Sequence, residues 1–259
     1  MNLLSKFLIL VLIILVIVFC LCRDSFINNS DSNVYISMTT IPERLKNDWW
    51  YNNLKQNMSS LKSNYAIIIN IPYYSLKGEK YIIPDKVIKL QKENPEQLIL
   101  NRVKKDEGPI TKLLPTLRNN KIKDSDIIII CDDDFYYKPN VFKLLEEGVN
   151  VNPKKVSLMC AYPVFLQGYR GFAFKKKILK NILNFNYPKS CIKVDDIIIN
   201  HYITKINIQL NYVPYENDKN WTCSINLETD KSRPKWYELN NDNRIGHILA
   251  CKNDFKKLF

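Results

Sequence analysis

Histidine and glycine are scarce in this chain, at 2 and 6 of 259 residues. So little glycine excludes a collagen-like chain or one made of flexible linkers, and 46% hydrophobic with 12% aromatic residues excludes a disordered one. Acidic residues are also in deficit, 26 against 38 lysines and arginines, which leaves a formal charge of +12. The lysines are scattered ("KKKILKNIL", "KNDFKKLF") without interleaved aromatics, so nucleic acid is not the expected partner; solvated surface near a membrane or phosphate groups is. No internal repeat is present. The length suits one sizeable α/β domain better than two small ones.

What the chain does have is one unbroken apolar run, residues 7–22 ("FLILVLIILVIVFCLC"), between Lys6 and Arg23. As a helix it would be about 24 Å long, against roughly 30 Å of hydrocarbon, with Leu3 and Leu4 extending it and Lys6 able to snorkel. Its exit lacks the small residues of a signal-peptide cleavage site, so a retained signal anchor is expected rather than a cleaved leader. The expected organisation is a tail over 1–6, a single membrane span over 7–22, a stem over 23–33 and one domain over 34–259. Asn28, Asn57 and Asn220 each head an Asn-x-Ser/Thr triplet, which favours a lumenal domain, of Golgi or endoplasmic-reticulum type in a eukaryotic host. Five cysteines follow the apolar run, an odd number. Cys131 and Cys160 sit in apolar runs and read as small buried hydrophobes, while pairing among Cys191, Cys223 and Cys251 stays open.

Along the domain, "VYISMTTIP" and "YAIIINIP" read as strands ending in proline, and "KVIKLQKE" as a third strand. Between the first two, "ERLKNDWWYNNLKQNMSSL" has helical spacing, with Leu45, Trp49, Leu54 and Leu61 as core positions. "GPITKLLPTLRNN" reads as a loop and a short helix, and "KPNVFKLLEEGV" as a helix with Pro139 near its start and Gly148 near its end. "VSLMCAYPVF", "QGYRGFAF", a helix around "KKKILKNIL", a helix in "VDDIIINHYITKI" and a strand in "NIQLNYVPY" continue the alternation. Such alternation predicts an α/β fold with a mostly parallel sheet flanked by helices.

The chemistry is densest at "DSDIIIICDDDFYY", residues 124–137, where four isoleucines are followed by three aspartates. On an extended backbone Asp132 and Asp134 project to one side and Asp133 to the other. At the carboxyl end of a strand, where open α/β sheets bind ligands, paired carboxylates repel unless a cation lies between them, which points to Mg²⁺ or Mn²⁺. A solvated acidic turn is the plainer alternative.

Six blocks, "SMTTIPERL", "NIPY", "DEGPITKLLP", "IICDDDFYY", "GYRG" and "VDDIIINHYI", stand in the order and rough spacing of GT-A-fold glycosyltransferases. The chain resembles in particular a group of predicted sugar transferases from bacteria, algae and large DNA viruses, over about residues 34–212. The resemblance implies an Asp-x-Asp segment that holds a divalent cation against the diphosphate of a nucleotide sugar, with Asp134 the direct ligand and Asp132 a contact to ribose or metal. It places Thr40 and Arg44 in the nucleotide-binding loop, Asp106 and Lys112 near the nucleotide and sugar, and Gly168 and Gly171 where backbone approaches the donor sugar. It also implies an acidic pair at a helix start, with Asp196 as general base and Asp195 in support; Asp stands at the first position, where Glu is more frequent. His247 is the candidate for a late metal ligand.

Each assignment has a structural alternative: Arg44 and Lys112 as helix-surface charges, "GYRG" as a hairpin turn, the two aspartates as helix caps, and His247 as a packing residue. The expected activity is metal-dependent transfer of a sugar from a nucleotide diphosphate donor to a hydroxyl on a glycan, lipid or protein, with inversion. The alternatives are a noncatalytic anchored sugar-binding module of the same fold and a metal-dependent phosphohydrolase.

Overall fold

The computed structural model describes residues 32–138, 140–159, 166–214, 224–226 and 243–258. The expected tail and membrane span, almost all of the stem, Asn28, Asn220, Pro139, Cys160 and Cys223 lie outside the described residues. Among those described, no helix is long and apolar enough to cross a membrane.

The domain is built on a seven-stranded sheet. Its strands are β1 (Val34–Thr39), β2 (Tyr65–Pro72), β3 (Leu98–Val103), β4 (Ile127–Ile130), β6 (Val156–Leu158), β7 (Phe172–Lys175) and β8 (Leu210–Tyr212). They lie in the order β3-β2-β1-β4-β7-β6-β8. The β1–β2, β1–β4, β2–β3 and β6–β8 pairs are parallel, and β7 alone runs against its neighbours β4 and β6. A short antiparallel pair, β5 (Phe135–Tyr137) with β9 (Ser224–Asn226), stands apart.

The central strands are mostly apolar because both faces are covered, as parallel sheets require, with Ser37 and Asn70 as buried polar exceptions. All eight residues of β2 and all four of β4 are buried. The four isoleucines of β4 divide between two cores. Ile127 and Ile129 pack with Leu54, Leu145 and Val149 on one face, whereas Ile128 and Ile130 pack with Leu114, Leu117, Ile198 and Tyr202 on the other.

Helices α1 (Pro42–Leu45) and α2 (Asp48–Met58) follow β1; the single helix expected there is broken at Lys46 and Asn47. Leu45 and Leu54 are core residues as expected, but Trp50 is buried in place of Trp49, which packs at the margin with Leu61. The "KVIKLQKE" segment is not a strand but helix α3 (Asp85–Glu93), entered from Pro84, with Val87 and Leu90 buried three positions apart and lysines on the remaining faces. The third strand lies just beyond it, at "LILNRV". Helices α4 (Leu114–Arg118), α5 (Val141–Val151), α6 (Lys176–Leu179), α7 (Asp195–Lys205) and α8 (Arg244–Leu258) complete the order, with a 3-10 turn at Gly108–Lys112 ahead of α4. A disulfide joins Cys191 to Cys251 and fastens α8 beside the start of α7. Cys131 is not disulfide-bonded and is buried, as a small hydrophobe should be.

Because β1 and β4 are parallel neighbours with Ser37 opposite Ile130, their carboxyl ends open side by side. That register brings the segment after β1, with Thr40 and Arg44, to the three aspartates after β4.

Candidate active site

The backbone does not keep the two-up, one-down pattern expected for the aspartates. Strand β4 ends at Ile130 and residues 133–134 turn, so Asp133 and Asp134 share one partner while Asp132 takes another. Arg44 donates from Nη1 to Asp133 Oδ1 at 2.6 Å and from Nη2 to Asp134 Oδ2 at 2.9 Å. It is a buried guanidinium, not a helix-surface charge.

Helix α2 holds the turn from beneath. Trp50 Nε1 donates to Asp133 Oδ2 at 2.8 Å, Asn53 Nδ2 donates to the Asp133 and Phe135 carbonyls, and Asn57 Nδ2 donates to the Phe135 carbonyl. The Tyr137 N–H donates back to Asn57 Oδ1, and the Asp132 N–H donates to the Tyr137 hydroxyl at 3.0 Å. Trp50, Asn53 and Asn57 lie at helical spacing on one face, so polar residues at i, i+3 and i+7 on a buried face were the signal in the sequence for this clamp. Asn57 is accordingly not a glycan acceptor: its side chain is buried and its amide is committed to Phe135, Asn53 and Tyr137.

The second half of the site centres on Lys112, which is buried rather than exposed on a helix. Its Nζ lies 2.6 Å from Asp132 Oδ1 and 2.8 Å from Asp195 Oδ2; the Asp195 contact is an ion pair without hydrogen-bond alignment. Burial works against the ammonium, but Asp132, Asp195 and Asp196 outweigh it and hold it protonated well above the ordinary lysine value. Asp195 and Asp196 occupy the first turn of α7, whose N-cap is Val194, so neither is the cap. Asp196 Oδ1 instead accepts the Gly168 N–H at 3.0 Å. Burial and then the Asp195 charge push the Asp196 carboxyl up to about 7, against the opposing pull of Lys112.

The two glycines pack against the chain's own side chains. A Cβ on Gly168 would stand 2.4 Å from Lys112 Nζ and 2.9 Å from Asp132 Oδ1, so its hydrogen leaves room for an internal ion pair. Gly171 has φ 79 and faces Leu145, Cys131 and Tyr137, so it turns the chain against the core. The GYR segment is a 3-10 turn followed by β7, not a hairpin.

Thr40 is buried, its Oγ1 has no hydrogen-bond partner among the described residues, and its carbonyl accepts from the Tyr81 hydroxyl. Asp106 lies toward the wall of the site. Its carboxylate accepts from the Gly108 and Leu76 N–H groups, and burial raises its pKa. His247 stands apart on α8, with Nε2 3.3 Å from Lys193 Nζ. Asp132, Asp134 and His247 are not gathered as a three-ligand set, and among the described residues no group of three His, Cys, Asp or Glu side chains is placed to hold a metal ion.

The donor chemistry nevertheless suits a hard cation. Among the described residues five carboxylates, Asp132, Asp133, Asp134, Asp195 and Asp196, gather about Arg44 and Lys112. Asp132 is the most open of the triplet, its side chain 30% exposed against 3% and 9% for Asp133 and Asp134.

No protein-family model matches the sequence, and no curated protein matches it. Solved structures do. GalNAc-T7 with UDP, GalNAc and Mn²⁺ superposes with a TM-score of 0.53 at 10% identity, over 71% of this chain and 44% of that one. The fold is GT-A-like. A cytidylyltransferase from Leptospira borgpetersenii serovar Hardjo-bovis gives 0.50 at 16% identity, over 87% of this chain and 95% of its own. The mannosyltransferase PcManGT from Pyrobaculum calidifontis, in complex with GDP-Man and Mn²⁺, gives 0.48 at 13% identity, over 72% and 56%. The chain thus spans about half the length of the two sugar transferases. At these identities the likeness establishes the fold and nothing finer.

Proposed function

We propose that the chain is a glycosyltransferase that moves a sugar from a nucleotide diphosphate donor to a hydroxyl on a glycan, lipid or protein, with inversion. The observation that carries this reading is the meeting of two acidic groups, the Asp132–Asp134 turn after β4 and the Asp195–Asp196 pair opening α7, on either side of Lys112. The carboxyl ends of parallel strands in such a fold are where ligands bind.

In this account Asp196 accepts the proton of the acceptor hydroxyl as its oxygen bonds to the anomeric carbon. The bond from that carbon to the donor phosphate breaks, and the nucleoside diphosphate departs. A carboxyl whose pKa sits near 7 suits this proton transfer. Asp132 and Asp134 would hold Mn²⁺ or Mg²⁺, which supplies charge neutralisation for the departing diphosphate. Arg44 holds the Asp134 carboxylate in place, and Thr40 and Asp106 shape the nucleotide side. His247 enters this account only by turning away from Lys193.

We further propose that residues 7–22 anchor the protein and that the domain faces an oxidising lumen. The Cys191–Cys251 disulfide supports the lumenal placement. Mass spectrometry finding a mature N-terminus near Arg23 would remove the anchor.

A second reading, nucleotidyl transfer, draws support from the fold match that spans 95% of the cytidylyltransferase. Product analysis separates the two: a sugar transferase releases nucleoside diphosphate, a nucleotidyltransferase releases pyrophosphate, and a phosphohydrolase releases free phosphate. Pyrophosphate or phosphate as the sole product ends the proposal. Donor binding with no product of any kind would leave a sugar-binding module.

A further inference from the structure

Lys112 is unusual for a lysine that meets a substrate. Such a side chain ordinarily carries a mobile, hydrated point charge on a flexible stem. Here the residue is only 4% exposed, and two carboxylates lie within 2.8 Å of its nitrogen. The backbone around it is fixed as well. The Lys112 carbonyl accepts from Ser37 Oγ at 2.5 Å, and Ser37 in turn contacts Thr116 Oγ1 at 2.6 Å beneath it. Gly108 begins the 3-10 turn that carries Lys112, and a Cβ there would stand 2.0 Å from the Ile192 carbonyl oxygen, so that turn is docked against the approach to α7. From the far side, Gly168 closes over the ammonium at a distance where a Cβ would have to displace it.

We infer that Lys112 is a positioning residue: its ammonium clamps Asp132, beyond the tip of β4, to Asp195, at the start of α7, and so fixes the spacing between donor-side and acceptor-side carboxylates. The kinetic consequence rests on the glycosyltransferase reading, whereas the clamp belongs to the folded chain itself. Direct contact with a donor phosphate would draw the ammonium away from the buried Asp195, which would strand an unpaired charge. Asp196 follows Asp195 by one residue and is tied to Gly168, so the clamp also sets where the base stands.

The test compares wild type, Lys112→Ala and Gly168→Ala by hydrogen exchange without donor, and by transfer kinetics with Mn²⁺ and the donor that supports turnover. Without the clamp, peptides covering 166–171 and 193–199 should exchange about tenfold faster while β1 and β2 peptides do not change. The kcat should fall about 100-fold, as misplacement by about an ångström does, with donor KM within about threefold. Propylammonium, which replaces the missing stem and charge, should restore part of kcat in Lys112→Ala. Gly168→Ala retains the ammonium but displaces it, and should lose kcat without losing donor affinity; it decides the matter alone if Lys112→Ala does not fold. Unchanged exchange overturns the clamp. A tenfold rise in donor KM with kcat retained also overturns it and makes Lys112 a donor ligand. If wild type transfers nothing, the glycosyltransferase reading fails, and the exchange result still decides the clamp.

Discussion

Asp196→Asn is the substitution that separates chemistry from architecture. Asparagine keeps the size of the side chain and an oxygen able to accept the Gly168 N–H, a bond of 3.0 Å in the native chain. It removes only the capacity to take a proton. Loss of a general base costs about 10²- to 10⁴-fold in rate, or about 3 to 5 kcal/mol of barrier. Since burial and then Asp195 raise this carboxyl to about 7, roughly a tenth of it is ionised at pH 6 and about nine tenths at pH 8. Wild-type kcat/KM should therefore climb with pH and level off above about 7, whereas the variant's small residual rate should show no such limb.

Stability moves the other way. Between the ordinary 3.8 and about 7 the folded, metal-free protein holds a proton that the unfolded chain has released. That contribution is complete below 3.8 and is lost as pH rises through about 7. The Asn variant escapes the loss, so it should melt above wild type at pH 8, with the gap narrowing as pH falls and closing only below 3.8. Transfer rate, donor affinity and Tm measured together decide the case. Near-wild-type transfer removes Asp196 from the mechanism, lost donor binding moves it to the donor side, and a variant less stable than wild type at pH 8 contradicts the raised Asp196 carboxyl.

Two further outcomes follow from the geometry. Asp133→Asn turns one N–H toward either Arg44 or Trp50, both of which are donors, and should cost about 3–5 kcal/mol in urea unfolding, as breaking a buried ion pair does. A loss under 1 kcal/mol would mean the Arg44–Asp133–Trp50 contact is not formed in solution. Replacing Cys191 and Cys251 by serine releases a 60-residue loop and should lower stability by about 4 kcal/mol on the chain-entropy estimate. Free thiol at both positions in non-reduced wild-type protein would refute the bridge.

The fold was legible where period and punctuation agreed. The isoleucine runs of β2 and β4 announced buried parallel strands, and Asp195–Lys205 announced a helix. Residues 86–93 misled because a short segment with two apolar positions fits either period; the spacing of Val87 and Leu90 and the lysines around them favoured a helix once β3 was available to cover the neighbouring sheet edge.

At the site, residue types were legible and their partners were not. The aspartates after β4 were conspicuous, but their pairing with Arg44 and Lys112 depends on β1 lying beside β4, a contact across 89 or 90 positions for Arg44 that no local pattern encodes. Gly168 illustrates the same limit. Its sequence neighbourhood announces a turn, while its lack of a side chain answers to a lysine 56 positions away.

The most direct test of the central claim is calorimetric titration of the domain from residue 32 onward with UDP- and GDP-sugars, with and without Mn²⁺, alongside Asp134→Ala. Binding of at least one of these donors should require the cation, and it should be lost in Asp134→Ala while that variant remains folded. No binding by any sugar nucleotide, or binding that persists unchanged in chelator and in Asp134→Ala, would contradict a metal-dependent sugar transferase at the acidic turn.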